Sequence, residues 1–216
     1  MRPERFQRLH SVLSRRQPDL TVLMDRVHKP HNLSAVLRTC DAVGVLEAHA
    51  VVPEGNLRLH RDTSGGTNKW VPVHRHPDAV AAIRQLQAVG HQVVAAHPSP
   101  DALDFRAIDY TEPTVILVGT ELYGVSDEAL AAADRHMTIP MTGMVRSLNV
   151  SVATALILYA AQGQRAAAGM YEEPRLPESR FAEILFEWCH PRRAQRLRER
   201  GEGYPPLAPD GSGFRD

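Results

Sequence analysis

Residues 20–52 of this chain, LTVLMDRVHKPHNLSAVLRTCDAVGVLEAHAVV, set the expected fold. The segment begins with an apolar run from Leu20 to Met24 and ends with a second candidate strand from Glu47 to Val52. Side chains between the two runs follow the i, i+3, i+4 and i+7 spacing of an amphipathic helix, at Leu33, Val36, Leu37 and Cys40. The segment therefore predicts a strand, a helix packed on the sheet, and a second strand.

Short β-branched runs and helical stretches alternate along the rest of the chain, which predicts an α/β fold with a mostly parallel sheet and helices on both faces. The predicted strands are Leu20 to Met24, Glu47 to Val52, Trp70 to His74, Gln92 to Ala96, Thr114 to Val118 and His136 to Ile139. The predicted helices are Asn32 to Val43, Pro77 to Val89, Ser126 to Ala133 and Leu148 to Ala168.

This body is expected to cover residues 20–169, with a basic extension at each end. Residues 1–19 are predicted to form a short basic helix. Residues 170–216 are predicted to form a basic helix from Glu178 to Arg200, followed by a loose tail.

Composition narrows the class of protein. Hydrophobic residues make up 43% of the chain and charged residues 23%, as in ordinary folded domains. The longest apolar run, Val150 to Ala161, is shorter than the roughly 20 residues of a membrane-spanning helix. The N-terminus has no signal-peptide pattern, so a cytoplasmic location is expected. Cys40 and Cys189 stand alone, and the histidines lack matching ligand clusters, so no metal is expected.

Three loops follow predicted strands, and ligands in open α/β sheets bind beyond the carboxyl ends of the strands. The first is HKPHN at residues 28–32, before the helix that carries Arg38. The second is GTELYGVS at 119–126, where glycines let the backbone approach a ligand closely. The third, at 139–151, ends at a helix start with small polar side chains, where free N–H groups favour an electron-rich ligand.

Each loop also has an ordinary structural interpretation. Asn32 is a good helix N-cap, and Arg38 could form an ion pair on a solvated surface. The glycine loop could be only a tight turn, and Ser147 or Asn149 could only cap a helix. Arg146 favours function, because a cation beside a helix N-terminus adds no stability.

Two features are compatible with a polyanionic partner, although the formal net charge is zero. Arginines cluster in the first sixteen residues and again between Arg192 and Arg200, where solvated helix faces are the alternative. Lys69 precedes Trp70, a pair that suits phosphate attraction and base stacking, although Trp70 could instead anchor the core.

Several blocks resemble the TrmH/SpoU family, the ribose 2′-O-methyltransferases of the SPOUT superfamily. The blocks are RRQPDLTV at 15–22, VHKPHNLSAVLRT at 27–39, DFRAIDYT at 104–111, the loop at 119–126, and residues 139–159. Within the last block, SLNVSVA at 147–153 is similar to the third motif of the family. The resemblance implies a SPOUT-type α/β fold with a deep trefoil knot, whereas general topology rules favour an unknotted sheet.

The resemblance also implies the chemistry. The expected reaction is methyl transfer from S-adenosylmethionine to the ribose 2′-hydroxyl of guanosine 18 in the tRNA D-loop. The residues that correspond to the catalytic set are Arg38, Asn32, Glu121, Ser147 and Asn149. The residues that correspond to the cofactor site are Ala96, Val118, Gly119, Gly124, Ile139 and Leu148. A homodimer is expected, with sites that draw on both protomers.

The expected RNA contacts are basic side chains at both ends and near the loops: Arg8, Arg15, Arg16, Lys69, Arg146, Arg192 and Arg193. Arg146 stands where a glutamine is frequent in the family, and Leu122 and Tyr123 follow Glu121 where many members have a lysine. These departures concern RNA contacts and target selectivity. The alternatives are 2′-O-methylation of ribosomal RNA or of the tRNA anticodon loop, and a non-catalytic RNA-binding protein. The arginine clusters and the four intact residues Arg38, Glu121, Ser147 and Asn149 favour the D-loop enzyme.

Overall fold

In the described part of residues 18–169, seven parallel strands form one central sheet. The computed structural model describes residues 1–52, 69–208 and 211. The strands are β1 Leu20–Asp25, β2 Ala48–Val51, β3 Val73–His76, β4 Gln92–Ala96, β5 Leu103–Asp104, β6 Thr114–Val118 and β7 Arg135–Thr138. The helices are α1 Pro3–Ser14, α2 Pro30–Val43, α3 Ala79–Ala88, α4 Asp127–Ala132, α5 Val150–Ala167, α6 Glu178–Cys189 and α7 Pro191–Glu199.

The strand order is β3-β2-β1-β6-β4-β7-β5, and each pairing is parallel. Alternate side chains of a strand point to opposite faces, and β1 shows the consequence. Val22 and Met24 pack in one apolar cluster with α2 and α5, whereas Leu23 packs in the other with α3 and α4. The predicted α/β fold, with a parallel sheet covered on both faces, is confirmed.

The structure differs from the prediction at three places in particular. Strand β3 begins at Val73, not at Trp70, because Pro72 has no N–H to donate to a neighbouring strand. Strand β5 was not predicted, since two residues are too few to show a period. The single helix predicted from Glu178 to Arg200 is wrong: α6 and α7 are separated at His190, whose φ of −132° and ψ of 58° are not helical, because Pro191 disfavours helical backbone in the residue before it.

The termini form a second compact unit, Met1–Gln17 with Met170–Asp216. Leu13, Leu185 and Phe186 are buried in it, and the Phe186 ring stacks on Tyr204 at a centroid distance of 4.8 Å. Among the described residues no helix is both long and apolar enough to cross a bilayer.

The amino ends of β1 and β6 are held by a buried guanidinium at the end of α5. The side chain of Arg165 is 0% exposed and donates to Asp19 Oδ1 at 2.6 Å. It also donates to the carbonyl of Tyr110 at 2.7 Å and to the carbonyls of Asp19 and Glu112, each at 3.2 Å. The neighbouring Gln164 accepts from the N–H of Tyr110 at 2.8 Å. One helix end therefore fixes the segments that enter both central strands.

Replacement of this guanidinium should destabilise the protein strongly. We expect Arg165→Met to lower the free energy of unfolding by about 3–5 kcal/mol, because it removes the buried donor to the Tyr110 carbonyl and the ion pair with Asp19. Urea denaturation measures the change. The control is Arg180→Met, since Arg180 makes an exposed pair with Glu183 that contributes at most about 1 kcal/mol. Equal stability of the two variants would contradict the anchoring role.

Candidate active site at the carboxyl ends of the strands

The three loops singled out in the sequence lie at one edge of the sheet. They follow β1, β6 and β7, which all run in the same direction. The carboxyl ends of parallel strands meet at one edge, where open α/β sheets bind ligands.

The larger of two cavities at this edge has a volume of about 680 Å³. This is within the range of roughly 300–1,000 Å³ for small-molecule sites. Each residue expected to contact the cofactor lines it: Ala96, Val118, Gly119, Gly124, Ile139 and Leu148. Arg146 and Ser147 line it as well. Much of its wall is apolar, as expected for a small-molecule site.

Two glycines shape the turn after β6. The N–H of Thr120 donates to the carbonyl of Gly124 at 2.9 Å, and the N–H of Gly124 donates back at 2.9 Å. Gly124 has a φ of 69°, a region that glycine adopts readily. A Cβ at Gly119 would lie 1.9 Å from the carbonyl oxygen of Gly124, so no other residue fits there without a backbone shift. The loop is thus a tight turn and also a wall of the cavity.

Asp25 ties the end of β1 to this turn. Its side chain is 1% exposed, and its Oδ2 accepts from the N–H of Ser126 at 2.8 Å. Ser126 is the N-cap of α4, so Asp25 fixes the point where the glycine loop enters the helix. Arg26, the next residue, has a φ of 56°, which is uncommon outside glycine. Asp25 was not predicted, because it ends an apolar strand and belongs to no polar motif.

A smaller cavity of about 390 Å³ adjoins the first. Its walls come from the loop after β1, the turn after β6 and the start of α5, and include Lys29, Asn32, Tyr123 and Val150. Glu121 lines both cavities.

A chain of hydrogen-bonded polar side chains is centred on Glu121, the one among them that lines both cavities. Asn149 Nδ2 donates to Asn32 Oδ1 at 3.2 Å and to Glu121 Oε1. Lys29 Nζ forms an ion pair with Glu121 Oε2. The hydrogen bonds from Lys29 and Asn32 lower the pKa of the Glu121 carboxyl, so it is ionised at neutral pH. Three residues of the expected catalytic set, Asn32, Glu121 and Asn149, are therefore in direct contact.

Asn149 is also the N-cap of α5, as one structural interpretation predicted. Its Oδ1 accepts from the N–H of Ser151 at 2.9 Å and from the Ser151 hydroxyl at 2.6 Å. The matching interpretation of Asn32 is wrong. Helix α2 begins at Pro30, a residue favoured at the first helical position, so Asn32 lies inside the first turn and is 2% exposed. Its amide is free to serve the polar chain.

Lys29 is the residue that the sequence interpretation missed here. It stands inside the HKPHN loop, but its position gives no sign of a carboxylate 92 residues away. Ser147 lies in the wall of the larger cavity, near the polar chain in sequence. Arg38 is exposed on α2 and lines neither cavity.

The expected RNA contacts differ in exposure. Arg8, Arg15, Lys69 and Arg192 are exposed and Arg193 is half-buried. Arg16 differs from them, because its side chain is 1% exposed and its guanidinium lies 5.4 Å from the Trp188 ring centroid. A buried cation stabilises the terminal unit and offers no surface to a phosphate, so Arg16 has no place in an RNA-binding surface.

Comparisons with known proteins agree with this architecture. The model of the SpoU rRNA Methylase family matches residues 19–159, and a model of the SpoU C-terminal region matches residues 163–213. A tRNA (guanosine(18)-2'-O)-methyltransferase of Thermus thermophilus is 57% identical over 85% of this chain and 95% of its own length.

Two solved structures show the same fold. The A. aeolicus TrmH/SpoU tRNA modifying enzyme has a TM-score of 0.80 and 45% identity, and the match covers 86% of this chain and 94% of that one. The SpoU methyltransferase AviRb from Streptomyces viridochromogenes, in complex with the cofactor AdoMet, has a TM-score of 0.62 and 28% identity over 70% of this chain and 62% of that one. The chain belongs to the SpoU methylase family, the TrmH/SpoU family that its motifs resemble.

Proposed function

We propose that the protein transfers the methyl group of S-adenosylmethionine to the ribose 2′-hydroxyl of guanosine 18 in the tRNA D-loop, in the cytoplasm and without a metal. The observation that carries the proposal is that Glu121 lines both cavities and is hydrogen-bonded to Asn149, which in turn is hydrogen-bonded to Asn32. One cavity suits a methyl donor and the other an acceptor. The Thermus thermophilus relative has this activity in its name. The resemblance to the family also supports a deep trefoil knot among the loops.

The larger cavity fits S-adenosylmethionine. Apolar side chains such as Ile139 and Leu148 suit its adenosine and methionine carbons, and Gly119 allows close approach to backbone groups. When bound, the cofactor supplies a methyl group activated on a sulfonium.

The polar chain positions the acceptor hydroxyl. Asn149 is held on both sides of its amide, by Ser151 on the oxygen and by Asn32 and Glu121 on the nitrogen. Because both its N–H groups and its acceptor sites are engaged, Asn149 is a positioning residue. A phosphate oxygen of the RNA is then the better acceptor for the hydroxyl proton. Alignment of reacting groups can lower the activation free energy by about 7–11 kcal/mol.

Arg38 acts electrostatically in this proposal. A guanidinium has no lone pair to accept a proton, so its role is to hold the neighbouring phosphate and stabilise the developing alkoxide. Since Arg38 lines neither cavity of its own chain, we assign it to the site of a second protomer. The proposed twofold interface includes α2, which carries Arg38, and α5, which packs on α2 within the chain.

The exposed face of α5 supports such a dimer. Val152, Leu156 and Tyr159 follow one another at helical spacing and are 48%, 42% and 56% exposed. A stripe of large apolar side chains on one helix face is typical of a covered surface. The exposed arginines of the terminal unit, Arg8, Arg15 and Arg192, are proposed to bind the tRNA backbone.

The reaction is tested by incubating the protein with labelled S-adenosylmethionine and mixed tRNA, then mapping the modified nucleoside. We expect 2′-O-methylguanosine at position 18. A methyl group found only in ribosomal RNA, in the anticodon loop or nowhere would contradict the proposal.

The role of Arg38 predicts that its replacement lowers turnover but not cofactor affinity. Arg38→Lys should keep cofactor affinity within about twofold and reduce turnover at least about a hundredfold, since a lysine cannot form a bidentate contact with phosphate. The control is Arg84→Lys on the exposed surface of α3, which should have normal turnover. Near-normal turnover of Arg38→Lys would refute the role.

The turn after β6 predicts a loss of cofactor binding. In Gly119→Ala the new methyl group meets the carbonyl of Gly124, so the cavity wall must shift and calorimetric affinity for S-adenosylmethionine should fall at least about tenfold. Gly163→Ala in α5 is the control, because nothing lies within 4 Å of its Cβ position. Unchanged affinity in Gly119→Ala would remove this turn from the cofactor site.

The shared site predicts both assembly and complementation. Leu156→Glu should give a monomer by light scattering, whereas Val89→Glu, at a site 69% exposed, should not. Mixed dimers of Arg38→Lys and Gly119→Ala chains should regain activity, because one of the two sites then combines an intact Arg38 with an intact cavity. If the mixture stays inactive, Arg38 does not serve the partner's site.

A further inference from the structure

The smaller cavity has a polar edge that the proposed reaction does not explain. Lys29 and Glu121 face this space as a pair, and Lys29 lines only this cavity of the two. The pair is partly exposed, with 49% of the Lys29 side chain and 24% of the Glu121 side chain accessible. Glu121 is the one carboxylate among the residues that line this space.

The order of donors and acceptors in this pair is specific. Lys29 presents an ammonium with three N–H groups, and one of them is used by Glu121 Oε2. Glu121 presents two ionised oxygens, and each has a further lone pair beyond the bonds to Lys29 and Asn149. Along the cavity edge the hydrogen-bonding groups therefore follow one another as donor, acceptor, acceptor.

The Watson–Crick edge of guanine complements this order of donors and acceptors. It presents the O6 acceptor, the N1–H donor and the N2 amino donor in a row. We propose that the smaller cavity receives the guanine base, with Lys29 Nζ donating to O6 and the two Glu121 oxygens accepting from N1–H and the N2 amino group. The inference rests on the proposed function and assigns its base specificity to named residues.

Other bases fit this edge poorly. Adenine presents an amino donor to the Lys29 ammonium and the N1 lone pair to the carboxylate, so both contacts become repulsive. Uracil presents its single N–H between two carbonyls, so one carbonyl would face the carboxylate. Unpaired polar groups of this kind are the usual source of strong discrimination between substrates.

Tyr123 supplies a face for the same base. Its side chain is 84% exposed although its backbone is fixed, since the N–H of Tyr123 donates to Thr120 Oγ1 at 3.1 Å. It lines the smaller cavity beside Glu121. Aromatic side chains that stack on a splayed-out base and groups that bind its Watson–Crick edge commonly occur together in RNA sites.

The position of the ribose is consistent with this placement. A base in the smaller cavity and a methyl donor in the larger one leave the sugar beside Glu121, which lines both cavities and accepts a hydrogen bond from Asn149. The same carboxylate then orients Asn149 and binds the base, so a wrong base also disturbs the positioning of the hydroxyl.

The test compares two tRNA transcripts that carry guanosine or 2,6-diaminopurine riboside at position 18. The analogue keeps the N2 amino group but replaces O6 by an amino group and N1–H by a lone pair. With the wild-type protein, kcat/KM should be at least about tenfold higher for guanosine, as a bidentate base contact discriminates by this order. With Lys29→Met, guanosine should lose the part of this advantage that comes from O6, so its kcat/KM falls, while kcat/KM for the analogue changes within about twofold.

Arg84→Met is the matched control, since Arg84 is an exposed cation on α3 and lies outside the smaller cavity. The control should change kcat/KM for the two transcripts by the same factor or leave both unchanged. Cofactor affinity should be normal in both variants. The assignment is overturned if Lys29→Met lowers kcat/KM for both transcripts by the same factor. It is also overturned if the wild-type protein has equal kcat/KM for the two transcripts. The proposed function fails separately, only if the wild type does not methylate the guanosine transcript at the ribose.

A second variant tests the stacking face. Tyr123→Phe should keep kcat/KM within about twofold, whereas Tyr123→Ala should lower it at least about fivefold, mainly through KM for tRNA. Equal values for Tyr123→Ala and Tyr123→Phe would remove Tyr123 from the base site.

Discussion

The buried guanidinium of Arg165 is the constraint on which the rest of this α/β body depends. It binds Asp19 and two backbone carbonyls of the segment before β6, so it fixes the amino ends of the two central strands. Arg165 belongs to α5, a helix of 18 residues and therefore about 27 Å long. The other end of α5 is capped by Asn149. One rigid element thus joins the structural anchor at one edge of the sheet to the polar chain at the opposite edge.

At the carboxyl edge the chain combines rigid backbone with exposed functional groups. Asp25 fixes the start of α4, and Gly119 fits against the Gly124 carbonyl where no side chain has room. These contacts leave little freedom in the turn that carries Glu121 and Tyr123. A site that discriminates among substrates needs its groups held in advance, since immobilising them on binding would cost affinity.

Glu121 connects the proposed roles of the two cavities. Its carboxylate is paired with Lys29 on one side and Asn149 on the other, so it lies where a donor site and an acceptor site would share a wall. The family membership supports the methyl donor, and the donor and acceptor order of Lys29 and Glu121 supports a guanine acceptor. The two proposals together would make base recognition and hydroxyl positioning depend on one side chain.

The sequence by itself determined the α/β class, the loops after β1, β6 and β7, and the family, because these follow from local periodicity and from contiguous motifs. It also placed Asn32, Glu121 and Asn149 in one set through the family motifs. Only the tertiary structure decided that Lys29 pairs with Glu121, that Asp25 holds the turn and that Arg16 is buried under Trp188. It also decided that α6 and α7 are separate helices. The physical reason is that the paired groups are far apart along the chain. The strand order of the parallel sheet brings them together, and local sequence patterns do not predict strand order.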